Sequence, residues 1–253
     1  TPQGLSAQDD SVVFNTGTIQ HLYSHETGAY VLDEFDLNDQ WRFNVGLRHS
    51  TFTHVGPFDR YIKGDGISTP DSVVHYDPND VIAFYHGLEP RLSFRYLLPD
   101  NSSIKAGYAY NYQYVHLVTL SAVSLPTDIW FPTTDQAKPE RGFQTSIGYF
   151  KNFAQDRYEA SVELYYKGMK NLIEFKEGAL PGDNVNDNTD NLLVYGDGWA
   201  YGAEFFLKKT EGAFTGWIGY TWAKTERRFP DINEGNIYPA KYDRRHDLTL
   251  VGT

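Results

Sequence analysis

Apolar and polar residues alternate along this chain with a period of two. In Trp41-Arg42-Phe43-Asn44-Val45-Gly46-Leu47-Arg48 the odd positions are apolar and the even ones polar or Gly. From Leu88 to Tyr96 the apolar residues Leu88, Leu92, Phe94 and Tyr96 face off against Glu89, Arg91, Ser93 and Arg95. Tyr158, Ala160, Val162, Leu164 and Tyr166 alternate with Glu159, Ser161, Glu163 and Tyr165. Similar runs are Ile104 to Tyr114, Phe143 to Tyr149, Tyr201 to Leu207 and Phe214 to Trp222. This period predicts strands with one apolar and one polar face. Tyr30 to Asp36 is less regular: Asp33 and Glu34 are adjacent and must face opposite ways, which suits a position near an interface or a turn.

The connections alternate too. Short turns rich in Asn, Asp, Gly and Pro fall at Leu37-Asn38-Asp39, Pro99-Asp100-Asn101-Ser102, Asn152 to Asp156 and Thr210-Glu211-Gly212-Ala213. Between them lie long segments predicted as irregular: Val55 to Phe84, Leu117 to Glu140, Gly168 to Leu192 and Lys224 to Lys241. Short and long connections in strict alternation put every long loop at one end, as in a transmembrane β-barrel. The turns recur every roughly 58 residues, so the chain holds about nine or ten strands. A strand of about 14 residues at ~3.3 Å per residue and ~45° tilt rises ~33 Å, more than a ~25 Å apolar band needs. Soluble strands are usually about 5–6 residues.

Composition narrows the picture. With Tyr 19, Phe 16 and Trp 5 in 253 residues, aromatic content favours β structure. A net charge of -11 speaks against nucleic acid as a partner. The lack of Cys excludes disulfides, thiolate metal sites and a Cys nucleophile. No run approaches the ~18 apolar residues of a membrane helix; a barrel needs none.

The strand charges Glu89, Arg91, Arg95, Lys105, Glu159, Glu163, Lys167, Glu204 and Lys208 all fall opposite the apolar face. A lipid-facing Arg or Lys at mid-depth costs ~2–4 kcal/mol, so the charged face is expected to line the lumen. The lumen-facing candidates are Arg48, Glu89, Arg91, Arg95, Glu159, Glu163 and Glu204. Tyr108, Tyr110, Tyr112 and Tyr114 continue the apolar face; a stacking platform for a ligand is one reading, and an aromatic girdle at headgroup level is the one we adopt. In Tyr242-Asp243-Arg244-Arg245-His246-Asp247 the charged residues Asp243, Arg244, Arg245 and Asp247 are candidates for an anionic ligand or for ion pairs at the outer rim, while His246 faces the apolar side. Gly182 to Asn191 is acidic and Asn-rich, but Val185 interrupts calcium-loop spacing and Asx-turns account for it. His21 and His25 have the spacing of a metal pair only on a helix, which their neighbours do not predict. No hydrolase, zincin or phosphate-loop motif is present, so no catalytic residue, metal ligand or cofactor is assigned.

As a set, several segments resemble the barrel of TonB-dependent outer-membrane receptors, in particular the large SusC-like or carboxypeptidase-regulatory-like-domain type. They are Ala29 to Phe52, Gly87 to Leu117, Ser124 to Phe153, Gly202 to Lys209, and Gly216 to Leu248 with its YPAKYDRRHDL run. The resemblance implies an all-β fold: an antiparallel transmembrane barrel segment supplying part of a roughly 22-strand barrel in the outer membrane of a Gram-negative bacterium. Residues 1–253 are expected to be that partial barrel, with the plug domain, signal peptide and C-terminal strands absent. It further implies uptake of a small nutrient without enzymatic activity. The implied partners are membrane lipid, the receptor's own plug, the TonB complex acting through the plug, and a surface lipoprotein. Two alternatives stay open: a secreted all-β carbohydrate-active enzyme or glycan-binding module, and a small complete barrel of about eight to ten strands.

Overall fold

Runs of alternating apolar and polar residues that end at Asn, Asp and Gly turns become nine long strands in the computed structural model, which describes residues 4–8, 11–15, 21–62, 72–118, 129–178 and 188–253. We number them β1 (Tyr23–Asp36), β2 (Trp41–Val55), β3 (Val81–Leu97), β4 (Ser102–Gln113), β5 (Glu140–Phe153), β6 (Tyr158–Phe175), β7 (Leu193–Lys209), β8 (Gly216–Arg228) and β9 (His246–Gly252). Each pairs antiparallel with its chain neighbours in one curved wall, and Tyr238–Pro239 adds a short tenth strand on β8. β1 and β9 do not pair with each other, so the small complete barrel is not what forms. Tight turns join β1 to β2, β3 to β4, β5 to β6 and β7 to β8, all at one end. At the first, the Asn38 side chain accepts the Gln40 and Trp41 backbone N–H groups. At the second, the Lys151 ammonium and the Ser102 hydroxyl hold the Asp100 carboxyl down at about 2.

Register sorts the two faces, because residues directly opposite on neighbouring strands share a side. One row across the wall reads Trp41, Tyr96, Ile104, Tyr149, Val162, Phe205, Tyr220, Leu248. The next residue along every strand gives Arg42, Arg95, Lys105, Gly148, Glu163, Glu204, Thr221, Asp247. The first row is wholly apolar or aromatic and the second wholly polar or Gly. Leu88 is 57% exposed and Leu164 52% exposed, so the apolar face is bare of protein. Trp41 and Phe43 stack on one another, and Phe94 leans against both at a tilt along that surface. A water-soluble sandwich would bury this face between two sheets; here it meets hydrocarbon.

The buried apolar clusters lie at the opposite end from the tight turns. Val118, Phe131, Ala137, Ile173, Phe175 and Leu193 form one, and Leu172, Val194 and Phe229 another. The long connections therefore carry structure of their own. Phe58–Ile62 pairs with Ser72–Tyr76, and Val115–Val118 with Ile129–Pro132. This corrects the expectation of irregular loops: their short β runs lacked the length to register as alternation. The wall also climbs further than the sequence suggested, with β6 reaching Phe175 across a bulge between Met169 and Leu172, where Asn171 has φ 58°. Asp33 and Glu34 sit in regular strand opposite Val45 and Asn44, near the β1–β2 turn.

Candidate functional site

The polar face of the wall collects the lumen candidates. Arg95 lies in register between Arg42 and Lys105, and Glu163 lies opposite Glu204. The row is thus cationic on β2 to β4 and anionic on β6, β7 and β9. Lys105 leans over the Phe150 ring at 4.1 Å, and Arg42 is held by Asp36 at 2.7 Å. Glu159 accepts from Lys208 at 3.4 Å. Glu163 and Glu204 have no ion-pair partner among the described residues and line a hollow of about 610 Å³ with Lys105, Phe150 and Thr221.

Higher on the wall, Glu89 is only 1% exposed. Ser50 Oγ donates to it at 2.6 Å and Arg48 lies at 3.5 Å, with Glu26 on the other side of Arg48 at 3.8 Å. Tyr114 donates to Ser50 Oγ at 2.8 Å. Arg91 donates to the Asn111 side chain at 3.1 Å. These contacts overturn part of the tyrosine girdle. Tyr108 stays on the apolar face near Phe143. The β3–β4 pairing, however, ends at Arg91 opposite Ala109, and beyond it β4 peels away. Tyr114, 3% exposed, stacks on Phe52 at 5.2 Å. The Tyr112 ring crosses Gly87, where an added Cβ would lie 2.3 Å from it. Both rings cover Glu89's side of the wall. Period-two reading cannot anticipate a strand leaving its neighbour.

The external loops meet at Arg60, which the sequence reading did not single out. It is 3% exposed and bonded to Asp190 at 2.6 and 2.8 Å and to Asp135. Thr134 Oγ1 donates to Asp190 at 2.7 Å, and Tyr85 donates to the Thr134 carbonyl at 2.8 Å. The Asn188 side chain accepts the Tyr61 N–H at 2.7 Å and donates to the Asp59 carbonyl at 2.9 Å. Three separate loops are thereby laced through one guanidinium. Of the Asn-rich run, residues 182–187 lie outside the described residues; Asp190 and Asn188 face Arg60 and Tyr61. The partners stand 130 positions apart, beyond any spacing motif.

Burial raises the Tyr195 hydroxyl pKa well above its ordinary value, and the carboxylates around it add to the effect. His54 is 0% exposed, packs edge-on against Phe58 at 5.3 Å, and has no hydrogen-bond partner among the described residues. Burial first, and then the Arg60 charge, push its imidazole below 6.5, although Asp135 and Asp190 pull the other way. The folded loops hold it neutral, whereas the unfolded chain takes up the proton as pH falls through 6.5. Its contribution is complete above that value and is lost as pH drops toward the lower folded value. Amide protection factors, which are corrected for the intrinsic pH dependence of exchange, are therefore expected to fall in residues 129–135 and 188–193 between pH 7.5 and pH 5, and to fall less in His54→Gln; equal profiles would refute it.

The run expected at the outer rim sits lower on the wall: Asp243 accepts the Thr225 N–H at 2.6 Å and the Arg245 side chain at 3.1 Å, and His246 opens β9 opposite Trp222, below the top of β8 at Arg228. Arg244 is exposed, and Asp247 lies opposite Thr221. His246 is on the apolar side opposite Trp222, its Nδ1 2.8 Å from the Tyr220 hydroxyl. The structure thus brings Arg48 to Glu89 and Arg245 to Asp243, and leaves Arg244 apart from both. His21 precedes β1 and His25 is within it, so they share no helix.

Comparison with known proteins agrees with this geometry. Residues 2–250 match the family model described as TonB dependent receptor-like, beta-barrel. No curated protein matches. Among solved structures, the FrpB iron transporter of Neisseria meningitidis is similar at TM-score 0.55 and 15% identity, over 86% of this chain and 28% of that one. The ferric-catecholate import receptor Fiu of E. coli K12 gives 0.55 and 18%, over 90% and 32%. The ferripyoverdine receptor of Pseudomonas aeruginosa gives 0.57 and 14%, over 97% and 28%. The chain spans about a third or less of their length. A one-sided apolar wall, long loops gathered at one end and a family match over nearly its whole length make this chain a member of the TonB-dependent receptor β-barrel family, in the outer membrane of a Gram-negative bacterium.

Proposed function

We propose that this wall is part of a receptor that imports a scarce nutrient, with a plug seated against the polar face and TonB drawing on that plug. The observation that carries the reading is the inner row with Glu163 opposite Glu204. Two like charges side by side in a lumen are tolerated only with water or a cationic partner against them. A basic plug surface supplies that partner, and Arg95 and Lys105, which have no ion-pair partner among the described residues, ask for acids across from β3 and β4. No bond-breaking chemistry enters: the receptor binds, opens and releases. Arg48, Glu89 and Arg91, under the Tyr112 and Tyr114 rings, stand where cargo passes from loops to lumen. The SusC-like segments add a surface lipoprotein over the mouth, which co-purification with the full-length receptor tests.

Cells expressing the full-length receptor can be offered labelled ferric siderophores, oligosaccharides, oligopeptides and cobalamin. Accumulation of one of them is expected to vanish when either the receptor gene or TonB is deleted. Uptake that survives loss of TonB would refute the reading.

A further inference from the structure

The apolar face ends, at the loop side, in a row of cations. Arg141 and Lys170 lie opposite one another on β5 and β6, and Asp197 lies opposite Arg228 on β7 and β8. Lys170 reaches Asp197 at 2.6 Å, closing the gap in the row. Arg141 is two residues before Phe143, which stacks with Tyr108 and contacts Tyr166 on the lipid side, so alternation turns Arg141 toward lipid as well. With Lys224 and Glu226 just below Arg228 on the same face, four cations meet two carboxylates on the outward side here, in a chain whose net charge is -11.

Depth places this row. Arg141 stands twelve residues above the lower end of β5 at Phe153, and Lys170 twelve above Tyr158. At ~3.3 Å per residue and ~45° tilt that is ~28 Å, just past a ~25 Å apolar band and level with the headgroups of the outer leaflet. Arg228 stands at the same height above Gly216, although its Nε also donates to the Gly235 carbonyl at 3.1 Å. Arg141 has no ion-pair partner among the described residues and is exposed. Like charges directly opposite on paired strands destabilise a sheet. A phosphate between them reverses the sign, since a guanidinium and an ammonium both donate charge-assisted bonds to its oxygens.

We infer that Arg141 and Lys170, with Arg228 beside them, form a binding site for the phosphate-bearing headgroup of an outer-leaflet lipid. The rings of Phe143 and Tyr166 below would lie along its acyl chains. The site is on the outside of the barrel and does not depend on which nutrient is imported.

The test uses the full-length receptor in detergent, with lipid A and its dephosphorylated form as probes and native mass spectrometry as the readout. Wild type is expected to retain lipid A and lose the dephosphorylated form. R141Q/K170Q is expected to bind lipid A about tenfold or more weakly, as loss of one to two charge-assisted bonds implies. Lys151→Gln, at the opposite end of the same wall, should leave binding unchanged, and unaltered heat-modifiable migration on gels confirms folding. Equal retention of both probes, or lipid A binding unaffected in the double variant, overturns the proposal. So does displacement of lipid A by millimolar inorganic phosphate, which would make this a site for a free anion.

Discussion

Leu164→Arg is expected to destabilise the folded receptor by about 2–4 kcal/mol, the cost of placing a guanidinium at mid-depth in hydrocarbon. Leu164 sits in the row Phe43, Phe94, Ala106, Ile147, Leu164, Ala203, Trp222, every member apolar. Ser146→Arg supplies the contrast. Ser146 lies opposite Gly107 and Tyr165 on the polar side, where water receives the charge and Glu163 stands one same-face pair away. Its cost should stay under about 1 kcal/mol. Reversible unfolding of the full-length receptor from lipid vesicles by denaturant measures both. Equal costs would mean that the two faces are not divided between lipid and lumen.

Arg60→Ala is expected to cost about 3–5 kcal/mol, because it strands Asp190, closed to water, without a countercharge and leaves the half-exposed Asp135 unpaired. The damage should be local. Arg60 joins loops, whereas the wall below is held by its own ladder of backbone bonds, so β5 to β8 should keep their amide protection while residues 129–135 and 188–193 lose theirs. Arg60→Met combined with Asp190→Leu and Asp135→Asn should recover much of the loss, since an apolar filling needs no countercharge. If the single variant leaves exchange in those segments unchanged, the lacing is not what holds the loops.

The wall was legible because its signal is local. Trp41 to Arg48 shows its two sides within one strand, and a turn such as Leu37-Asn38-Asp39 announces itself by residue type. Face assignment for Glu89, Glu163 and Glu204 followed from parity alone, and the register agrees. Parity failed at Tyr112 and Tyr114, where β4 parts from β3 after Ala109 and folds its rings across the inner surface. Nothing in the residues from Ala109 to Tyr114 marks that separation. The loop cluster was illegible for another reason. Arg60, Asp135 and Asp190 come from three connections, and only the curved wall beneath brings those connections together. Asp243 and Arg245, two positions apart, could be paired from the sequence because proximity along the chain ensured it.

The length of β6 has a consequence at the cell surface. Its 18 residues rise ~42 Å, so about 15 Å of ladder stands clear of the bilayer core. Phage, antibodies or proteases arriving from outside meet a stiff parapet of paired backbone, with Arg60 and its carboxylates knotted behind it. Slack chain does not greet them there, so cleavage of intact cells should spare β6 and β7 up to Phe175 and Leu193.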